Sequence, residues 1–474
     1  MKTNIIKRLF LFTLAAVLGC SQASAQIFKS LHIFTSLKGS PLTNSDGARP
    51  KASLVLSGNT LYGTTYWGGT NGSGTVFAIN TDGTHFITLH SFTTLHSGIT
   101  NSDGATPYAG LVLSSNTLYG TTSIGGSFVS GTVFSINTDG TGFTNLHNFS
   151  VGNMNSQGFY TNDEGASPTA GLVLSTNTLY GTAWSGGTYG SGTIFAINTD
   201  GTGFANLHSF TDGNDGANPY AGLVLSGNTL YGTTEYGGTN DSGTVFAIHT
   251  DGTGYTNLYS FTGGNDGVDP YATLVLSGNT LYGTTYQGGD SDDGTVFSIN
   301  TDGTGYTNLW VFSYSYNNFN GGVNPEAGLV LSGNRLYGTT YDGGISPGDG
   351  TVFAINTDGT GFTNLYDINS DDNDGENPAA SLILSGNTLY GTTEFAGPTT
   401  SFGTVFALSL GSIPLNTENS GTNQILTWGN PAFSLQSAAS LTGSWSTVSN
   451  AASPYTINTT NTQSFFRLAY TNSP

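Results

Sequence analysis

The chain alternates short apolar runs with clusters of turn residues. In residues 221–261 the runs AGLVLSG, TLYGTT, GTVFAIH and YTNLYSF predict four β-strands. Ser-Gly-Asn-Thr joins the first two and Thr-Asp-Gly-Thr joins the last two, and both contain residues that accept the positive φ of tight turns. The run GTVFAIN at 74–80 is apolar on both faces, which predicts a strand covered on both sides.

The four-strand unit repeats along the chain. Leu-Tyr-Gly-Thr occurs seven times, 51 to 61 residues apart, starting at Leu61, Leu118, Leu179, Leu230, Leu281, Leu336 and Leu389. Four antiparallel strands in about 50 residues match one blade of a propeller. The seventh unit stops after its third strand, and FKSLHIF at 28–34 resembles the missing fourth strand. We therefore predict an all-β fold, a seven-bladed β-propeller over 26–410 closed by the N-terminal strand.

The repeat ends near Leu410. Residues 414–474 contain the short strand-like runs QILTWG, AFSLQS, SWSTVS, YTINTT and SFFRLAY. This composition predicts a small C-terminal module that is β-sandwich-like. Its Phe-Phe-Arg-Leu string is similar to the ends of many exported bacterial proteins.

The repeat strings resemble a known family. LVLSGNTLYGTT at 223–234 and GTVFAINTDGTGFTNLY at 350–366 look like the GloVer tandem repeat of exported bacterial proteins, and the likeness extends over residues 27–410. The resemblance implies a propeller-like exported protein from a family with interchangeable C-terminal anchors, and it implies no particular activity. The Gly-Gly pairs at 68–69 and 237–238 are also similar to Kelch repeats.

The N-terminus predicts export. MKTNIIKRLFLFTLAAVLGCSQASAQ has a basic start, an apolar stretch and a small-residue exit, so residues 1–25 are expected to be a signal peptide cut before Gln26. The apolar stretch is too short to span a membrane. Cys20, the only cysteine, follows Val-Leu-Gly as in a lipobox, so a lipoprotein remains an alternative to simple cleavage. The expected location is extracellular, at the cell surface or in the periplasm.

The excess of acidic residues limits the kinds of molecule that the protein is expected to bind. The chain has 29 acidic and 9 basic residues, and no Lys or Arg lies between Lys51 and Arg335. Such a chain lacks the cationic surface that nucleic acids and anionic membranes require. We expect no nucleic-acid partner, no transmembrane segment and a monomeric state.

The acidic residues divide between the two ends of the predicted propeller. Six Asp occupy the Thr-Asp-Gly-Thr turns, where the expected role is structural: Asp82, Asp139, Asp200, Asp251, Asp302 and Asp358. Of the other 23 acidic residues, 21 lie in or beside the variable connections at the opposite end. Function is therefore expected on those variable loops.

The blade-to-blade links contain the motif Asp-Gly-x-x-Pro. One interpretation is a Ca²⁺ site, because Ca²⁺ prefers carboxylate, amide and carbonyl oxygens. The candidate ligands are Asp212, Asn214, Asp215, Asp372 and Asp374. The alternative is a turn that leads into the next strand, with Pro fixing φ. The repeated histidines at 32, 90, 147 and 208 are replaced by Tyr or Trp in other units, which indicates packing rather than metal binding.

Two positions vary inside an otherwise copied unit. The residue after each link proline should ring the mouth of the central channel: Lys51, Tyr108, Thr169, Tyr220, Tyr271, Glu326 and Ala379. The second variable position is the residue that directly follows the strand TLYGTT in each unit. Aromatic rings beside carboxylates suit stacking on sugars or capture of cationic groups, and drift at exposed positions is the alternative. The ligand-binding candidates are Tyr66, Trp67, Tyr108, Trp184, Tyr220, Glu235, Tyr236, Tyr271, Tyr286, Glu326, Tyr341 and Glu394.

Three functions remain open. The leading hypothesis is a non-enzymatic exported propeller that binds a glycan or another surface polymer. A carbohydrate hydrolase or lyase is less favoured, because Glu235 and Glu394 should lie in distant blades. A purely structural surface component is the third. The links at 35–50, 93–107 and 150–168 are the longest, so a pocket is expected beside a raised lip in that sector.

Overall fold

The computed structural model describes residues 27–410, except 97–98, 157, 159, 314–320, 345–347 and 397–401. Beyond 410 it describes the segments 416–420, 423–427, 433–438, 446–448, 455–458 and 465–470. The signal-peptide and Cys20 predictions therefore lie outside the described residues. The chain forms seven four-stranded antiparallel sheets, which are the seven blades of a propeller.

Each of the first three blades runs from a short inner strand to an outer strand. Blade 1 consists of β2 (Val55–Ser57), β3 (Thr60–Thr65), β4 (Thr75–Asn80) and β5 (Ile87–Ser91). Blade 2 consists of β6 (Val112–Ser114), β7 (Thr117–Thr122), β8 (Thr132–Asn137) and β9 (Thr144–Asn148). A small hairpin, β10 (Asn153–Met154) and β11 (Tyr160–Thr161), precedes blade 3. Blade 3 consists of β12 (Val173–Ser175), β13 (Thr178–Ala183), β14 (Thr193–Asn198) and β15 (Ala205–Ser209).

The next three blades repeat this order. Blade 4 consists of β16 (Val224–Ser226), β17 (Thr229–Thr234), β18 (Thr244–His249) and β19 (Thr256–Ser260). Blade 5 consists of β20 (Val275–Ser277), β21 (Thr280–Thr285), β22 (Thr295–Asn300) and β23 (Thr307–Val311). Blade 6 consists of β24 (Val330–Ser332), β25 (Arg335–Thr340), β26 (Thr351–Asn356) and β27 (Thr363–Asp367), and a 3₁₀ turn follows at Ser370–Asp372.

Blade 7 joins the two ends of the repeat region. Its first three strands are β28 (Ile383–Ser385), β29 (Thr388–Thr393) and β30 (Thr404–Ser409). The outer strand is β1 (Ile27–Ile33), which pairs antiparallel with β30 from Ile27↔Ser409 to Ile33↔Thr404. The predicted closure by the N-terminal strand is confirmed. The inner strands are shorter than the predicted runs, because the residues before them line the channel instead of joining the ladder.

The core lies between blades, as the two-faced apolar strands require. Phe77 and Ile79 pack with blade 7 residues that include Val405 and Ala407. Val76 and Ala78, on the other face of the same strand, pack with blade 2. Seven such clusters occur among the described residues, one at each junction between neighbouring blades.

A ring of stacked aromatic pairs also links the blades. His32 of blade 7 stacks on Phe86 of blade 1 with a centroid separation of 3.7 Å, and Tyr366 of blade 6 stacks on Phe28 of the N-terminal strand at 4.5 Å. The remaining stacked pairs are His90–Phe143, His147–Phe204, His208–Tyr255, Tyr259–Tyr306 and Trp310–Phe362. The repeated histidines are therefore packing residues, as the sequence indicated.

The turns and links have the roles that their residues favour. In the outer hairpin of blade 1, Asp82 accepts hydrogen bonds from the Thr84 amide and hydroxyl, which hold the pKa of this carboxyl below its usual value. In the link to blade 2, Gly104 has a φ of +92°, and a Cβ there would lie within 2.8 Å of Thr132 Oγ1. The Asp-Gly of the link therefore needs glycine both for conformation and for space.

The segment after Leu410 forms two small antiparallel sheets. One contains β31 (Asn416–Ser420), β32 (Asn423–Thr427) and β35 (Tyr455–Asn458). The other contains β33 (Phe433–Ala438), β34 (Ser446–Thr447) and β36 (Phe465–Tyr470). The predicted small C-terminal β module is present. Within the described part of the chain, no helix has the length and apolar character needed to cross a membrane.

Candidate functional site

The candidate site lies at the end of the channel where the links meet the second connection of each blade. In blade 1 the Ala48 and Trp67 backbones exchange hydrogen bonds, which ties the link to the residues after β3. The residue after each link proline faces the channel, where it narrows to a cavity of about 90 Å³. The seven residues at this level are Lys51, Tyr108, Thr169, Tyr220, Tyr271, Glu326 and Ala379. The structure thus brings together the ring that the copied units suggested.

A continuous arc of aromatic rings follows the channel mouth. Neighbouring ring centroids in the arc are 5.3 to 5.7 Å apart. The separations fit the edge-to-face and tilted contacts that aromatic pairs prefer. The arc consists of Trp67, Tyr66, Tyr108, Tyr220, Tyr271 and Tyr286, in this order. All six are sequence-predicted ligand-binding candidates.

A larger cavity of about 280 Å³ opens beside the arc, in blades 4 to 6. We call it the tyrosine–glutamate cavity, because its lining consists of Tyr220, Glu235, Tyr271, Tyr286, Glu326 and Tyr341. It does not lie beside the three long links, where the sequence suggested a pocket. The length of a link shows only how many residues lie there. The position of the cavity depends instead on which side chains converge over the channel.

Glu235 is the best-held carboxylate of this cavity. Its side chain is buried, with 6% of the residue surface exposed, and it accepts a hydrogen bond of 2.9 Å from Trp184 Nε1. Trp184 is itself a predicted ligand-binding candidate, and this hydrogen bond to Glu235 is its contact with the cavity lining. Tyr236 is more exposed, and its hydrogen bond with Glu235 raises the pKa of the Tyr236 hydroxyl, with burial and nearby acidic charge adding to the rise.

The tyrosine hydroxyls of the cavity remain protonated donors at neutral pH. Burial raises the pKa of Tyr271, and the charges of Glu235 and Asp269 raise it further. Burial also raises the pKa of Tyr341, with Glu394 and Glu326 as the next causes. Each ring therefore offers an apolar face to a ligand, and each hydroxyl oxygen can accept a hydrogen bond from a ligand even where its own hydrogen is donated to a carboxylate.

Glu394, in the neighbouring blade 7, is paired with two cations. Lys51 Nζ lies 2.8 Å from Glu394 Oε2 and Arg49 Nη1 lies 3.3 Å from Oε1. The Tyr341 hydroxyl donates to Oε2 at 3.1 Å. The Arg49 guanidinium also lies 4.3 Å from the centroid of the Trp67 ring. Trp67 therefore packs on an internal cation at the edge of the site.

Arg49 and its contacts were missed as site residues by the sequence analysis. The available signal was that Arg49 and Lys51 flank Pro50 and are followed by no other basic residue before Arg335. That gap was used only to exclude nucleic acids and anionic membranes as partners. Asp269 and Asp342 were also missed, although each lies next to a position that varies between units.

Burial and neighbouring negative charge disfavour the ionised form of two acidic groups near the channel. Burial raises the pKa of Glu326 to about 7, against a smaller lowering by Lys51, and the Glu394 charge adds to the rise. Burial likewise raises the pKa of Asp269 to about 6, with Glu235 and Asp292 as the next causes. The mouth therefore has an excess of negative charge, and among the described residues its ion pairs, from Lys51 and Arg49, are formed with Glu394.

Two of the five proposed calcium ligands have other partners. Asp215 accepts hydrogen bonds from the Thr211 amide and hydroxyl, and its Oδ2 lies 3.1 Å from His208 Nε2. Asp374 accepts a hydrogen bond of 2.6 Å from Tyr366. Asp212 has a positive φ of 61°, Asn214 lies in the same link, and the Asp372 side chain lies outside the description. No group of three or more His, Cys, Asp or Glu that could hold a metal occurs among the described residues.

Comparisons with solved structures return proteins of low identity. An oligogalacturonate lyase from Vibrio parahaemolyticus is 10% identical, with a TM-score of 0.47 over 82% of this chain and 97% of its own. A puromycin-hydrolysing peptidase from Mycobacterium tuberculosis is 13% identical, with a TM-score of 0.45 over 88% of this chain and 56% of its own. Scores at this level say nothing about what this chain binds or catalyses. Comparison with curated proteins gives no match.

The family model of the Gloeobacter/Verrucomicrobia repeat matches three successive segments, 23–161, 152–318 and 311–438. These segments contain all seven blades. The match agrees with the GloVer resemblance of the repeat strings. The chain belongs to the Gloeobacter/Verrucomicrobia repeat family.

Proposed function

We propose that this protein is an exported binding module that recognises carbohydrate at the channel mouth without catalysing a reaction. The observation that supports it is the continuous aromatic arc, which is built where the otherwise copied units differ. A structural wall needs identical units, whereas these positions hold Tyr, Trp and Glu in an irregular pattern. The natural ligand in this proposal is a glycan or another surface polymer.

The tyrosine–glutamate cavity has the chemistry that sugar binding needs. Tyrosine rings offer faces for the apolar side of a sugar ring, and Glu235 and Glu326 accept hydrogen bonds from hydroxyl groups. The volume of about 280 Å³ is near the lower end of the roughly 300–1,000 Å³ range of small-molecule sites. It therefore suits one terminal or protruding sugar unit.

A glycan-array screen of residues 26–474 tests this proposal. We expect binding to a restricted set of glycans, and Tyr271→Ala should weaken it about 3- to 10-fold, because one aromatic contact is lost. Tyr189→Ala is the matched control, since Tyr189 is 52% exposed in a second connection and does not line the cavity. The absence of binding to every glycan would contradict the proposal.

A carbohydrate-active enzyme is the second candidate. Glu235 and Glu326 line one cavity, and the pKa of Glu326, which burial raises to about 7, suits a general acid. The repeat singled out Glu235, Glu326 and Glu394, and the distance argument against catalysis applied only to Glu235 and Glu394. Incubation with a polysaccharide panel tests the idea: products that wild-type protein releases and Glu326→Gln does not would overturn the non-enzymatic proposal.

A further inference from the structure

The tyrosine–glutamate cavity combines four tyrosine rings with two carboxylates. Tyr220, Tyr271 and Tyr286 form consecutive ring contacts of 5.3 Å along one side, and Tyr341 lies on the other. Glu235 and Glu326 lie in the same lining. Tyrosine ring faces and carboxylates both attract cations. The side chains that line the cavity therefore all favour a positively charged ligand.

Among the described residues, no basic side chain forms an ion pair with Glu235. Its hydrogen bonds come from neutral donors, the Trp184 indole and the Tyr236 and Tyr271 hydroxyls, and its neighbours include the acidic Asp269. Between Lys51 and Arg335 the sequence contains no Lys or Arg. Arg335 extends its guanidinium toward Asn356 and Thr363, at the end of blade 6 that carries the short connections. Glu235 thus has neutral hydrogen-bond donors but no ion pair among the described residues, so an external cation would supply the opposite charge that this sector lacks.

The protein itself shows the corresponding contact one sector away. The Lys51 ammonium lies 2.8 Å from Glu394 and 5.4 Å from the centroid of the Tyr108 ring. Lys51 and Tyr108 are ring positions of blades 1 and 2, so the same repeat geometry creates both sectors. An ammonium held by one carboxylate and one tyrosine face is therefore an arrangement that this channel mouth accommodates.

We propose that the tyrosine–glutamate cavity binds the protonated amine of an amino sugar, as found in a deacetylated aminoglycan. This inference rests on the proposed carbohydrate-binding function and narrows it. The amine lies against Glu235 and Glu326, and the sugar ring stacks on Tyr271 or Tyr286. An N-acetylated sugar of the same shape lacks the charge and brings a bulkier group into the cavity.

Calorimetric titration of residues 26–474 with three short probes tests this. The probes are a glucosamine tetramer, an N-acetylglucosamine tetramer and tetralysine, at an ionic strength of about 0.15 M to screen general attraction. We expect the glucosamine tetramer to bind at least about tenfold more tightly than either of the others. Loss of a buried charge partner commonly costs 2 kcal/mol or more, so Glu235→Gln and Glu326→Gln should each weaken it about 30-fold.

Glu376→Gln is the control for general negative charge. Glu376 lies in the link to blade 7, on the same face of the propeller but outside the cavity, and its change should leave the affinity within about twofold. A thermal melt of each variant shows whether it folds. The comparison between probes on the wild-type protein does not depend on any variant.

The outcomes separate the two proposals. Equal binding of both sugar tetramers would overturn the amine preference and leave carbohydrate binding intact. Binding of tetralysine as tight as that of the glucosamine tetramer would show attraction by net charge alone and would also overturn it. If other glycans bind and the glucosamine tetramer does not, the inference fails. If no glycan binds at all, the proposed function fails and the inference fails with it.

Discussion

Glu326 shows at the scale of one residue how the channel mouth affects stability. Its pKa of about 7 in the folded protein lies above the ordinary value of 4.5. Between these two pH values the folded state binds more protons than the unfolded state, so the free energy of unfolding falls as pH rises through the window. Above pH 7 the ionised carboxylate is a net cost to the fold.

We therefore expect Glu326→Gln to be more stable than the wild type at pH 8, by up to about 3 kcal/mol. Glutamine keeps the shape of the protonated carboxyl but cannot ionise. Urea unfolding of both proteins at pH 5 and pH 8 measures the difference. At pH 5 the gap should largely vanish, which makes the low-pH pair an internal control. Equal stability at both pH values would refute the raised pKa.

Asp215 and Asp212 form a matched pair in one link. Asp215 accepts hydrogen bonds from Thr211 and contacts His208, whereas Asp212 is exposed beside the acidic Asp241. Asp215→Ala leaves these donors without their acceptor and should lower the free energy of unfolding by about 1–3 kcal/mol. Asp212→Ala should change it by less than about 0.5 kcal/mol. Similar losses in both variants would show that the hydrogen bonds are not the cause.

Acid should remove the contribution of Asp215. Burial alone would raise its pKa, but hydrogen bonds from His208 and Thr211 outweigh burial and lower it below the ordinary value of 3.8. The stabilisation is therefore present above about pH 4 and is lost as pH falls through the lowered pKa. The difference between Asp215→Ala and wild type, measured by urea unfolding, should shrink below pH 4 and stay constant from pH 5 to 6. A constant difference down to pH 2 would contradict this.

Calcium at these links stays a prediction that the same two variants can test. A bound ion stabilises the folded state, so the melting temperature should fall when a chelator is added. If the ligands are those suggested by the sequence, Asp212→Ala should remove the dependence on calcium while the unliganded stability stays unchanged. A melting temperature that does not move with calcium or chelator would refute the site.

At the scale of the element, the glycines that recur from unit to unit differ in what they do. A Cβ on Gly104 would meet Thr122 and Thr132 closer than real atoms approach, at a φ of +92°. Gly58, in the first hairpin of blade 1, has a φ of +57° and nothing within 4 Å of its Cβ position. Ser115 takes the same position in blade 2 with a φ of 53°.

Gly104→Ala should therefore cost about 2–3 kcal/mol, from backbone strain together with the clash. Gly58→Ala should lower the free energy of unfolding by about 1 kcal/mol or less, because the only penalty is that of placing alanine in the left-handed conformation. Chemical denaturation of both variants measures the contrast. If Gly58→Ala is the more destabilising change, the steric role assigned to the link glycine is wrong.

The strands were predictable because each one carries its own burial pattern. Val76 and Phe77 point to different neighbours, and this alternation is readable from six residues. The length of the inner strand was not predictable in the same way. Ala52 and Ser53 belong to the predicted strand run, but they line the channel wall before the ladder begins at Val55.

At the scale of the whole molecule, the repeat made the ring predictable and left the site only partly so. Seven copies and one displaced strand determine the number of blades. Comparing copies also identified the positions of Tyr220 and Glu326. Their grouping with Tyr341 in one cavity depends on the radius of the ring and on side-chain directions, which no single unit encodes. For the same reason the salt bridge between Lys51 and Glu394, which are 343 positions apart, was not anticipated.

Ring closure rests on the N-terminal strand. Phe34 is buried against blade 1 and Phe28 stacks between Phe406 and Tyr366. Removal of residues 27–34 would expose the side chains that Phe28 and Phe34 cover. It would also leave β30 as an open edge strand. Burial of two large aromatic side chains alone contributes several kcal/mol, about 1.5–3 kcal/mol each. An exposed edge strand also invites pairing with other chains.

We expect deletion of residues 1–35 to lower the melting temperature by more than about 10 °C and to cause self-association, relative to deletion of residues 1–25. Scanning calorimetry and size-exclusion chromatography measure the two effects. A synthetic peptide of residues 26–36 should restore much of the lost stability by pairing with β30, and a scrambled peptide should not. If the shorter protein melts at the same temperature as its control, the N-terminal strand does not close the ring.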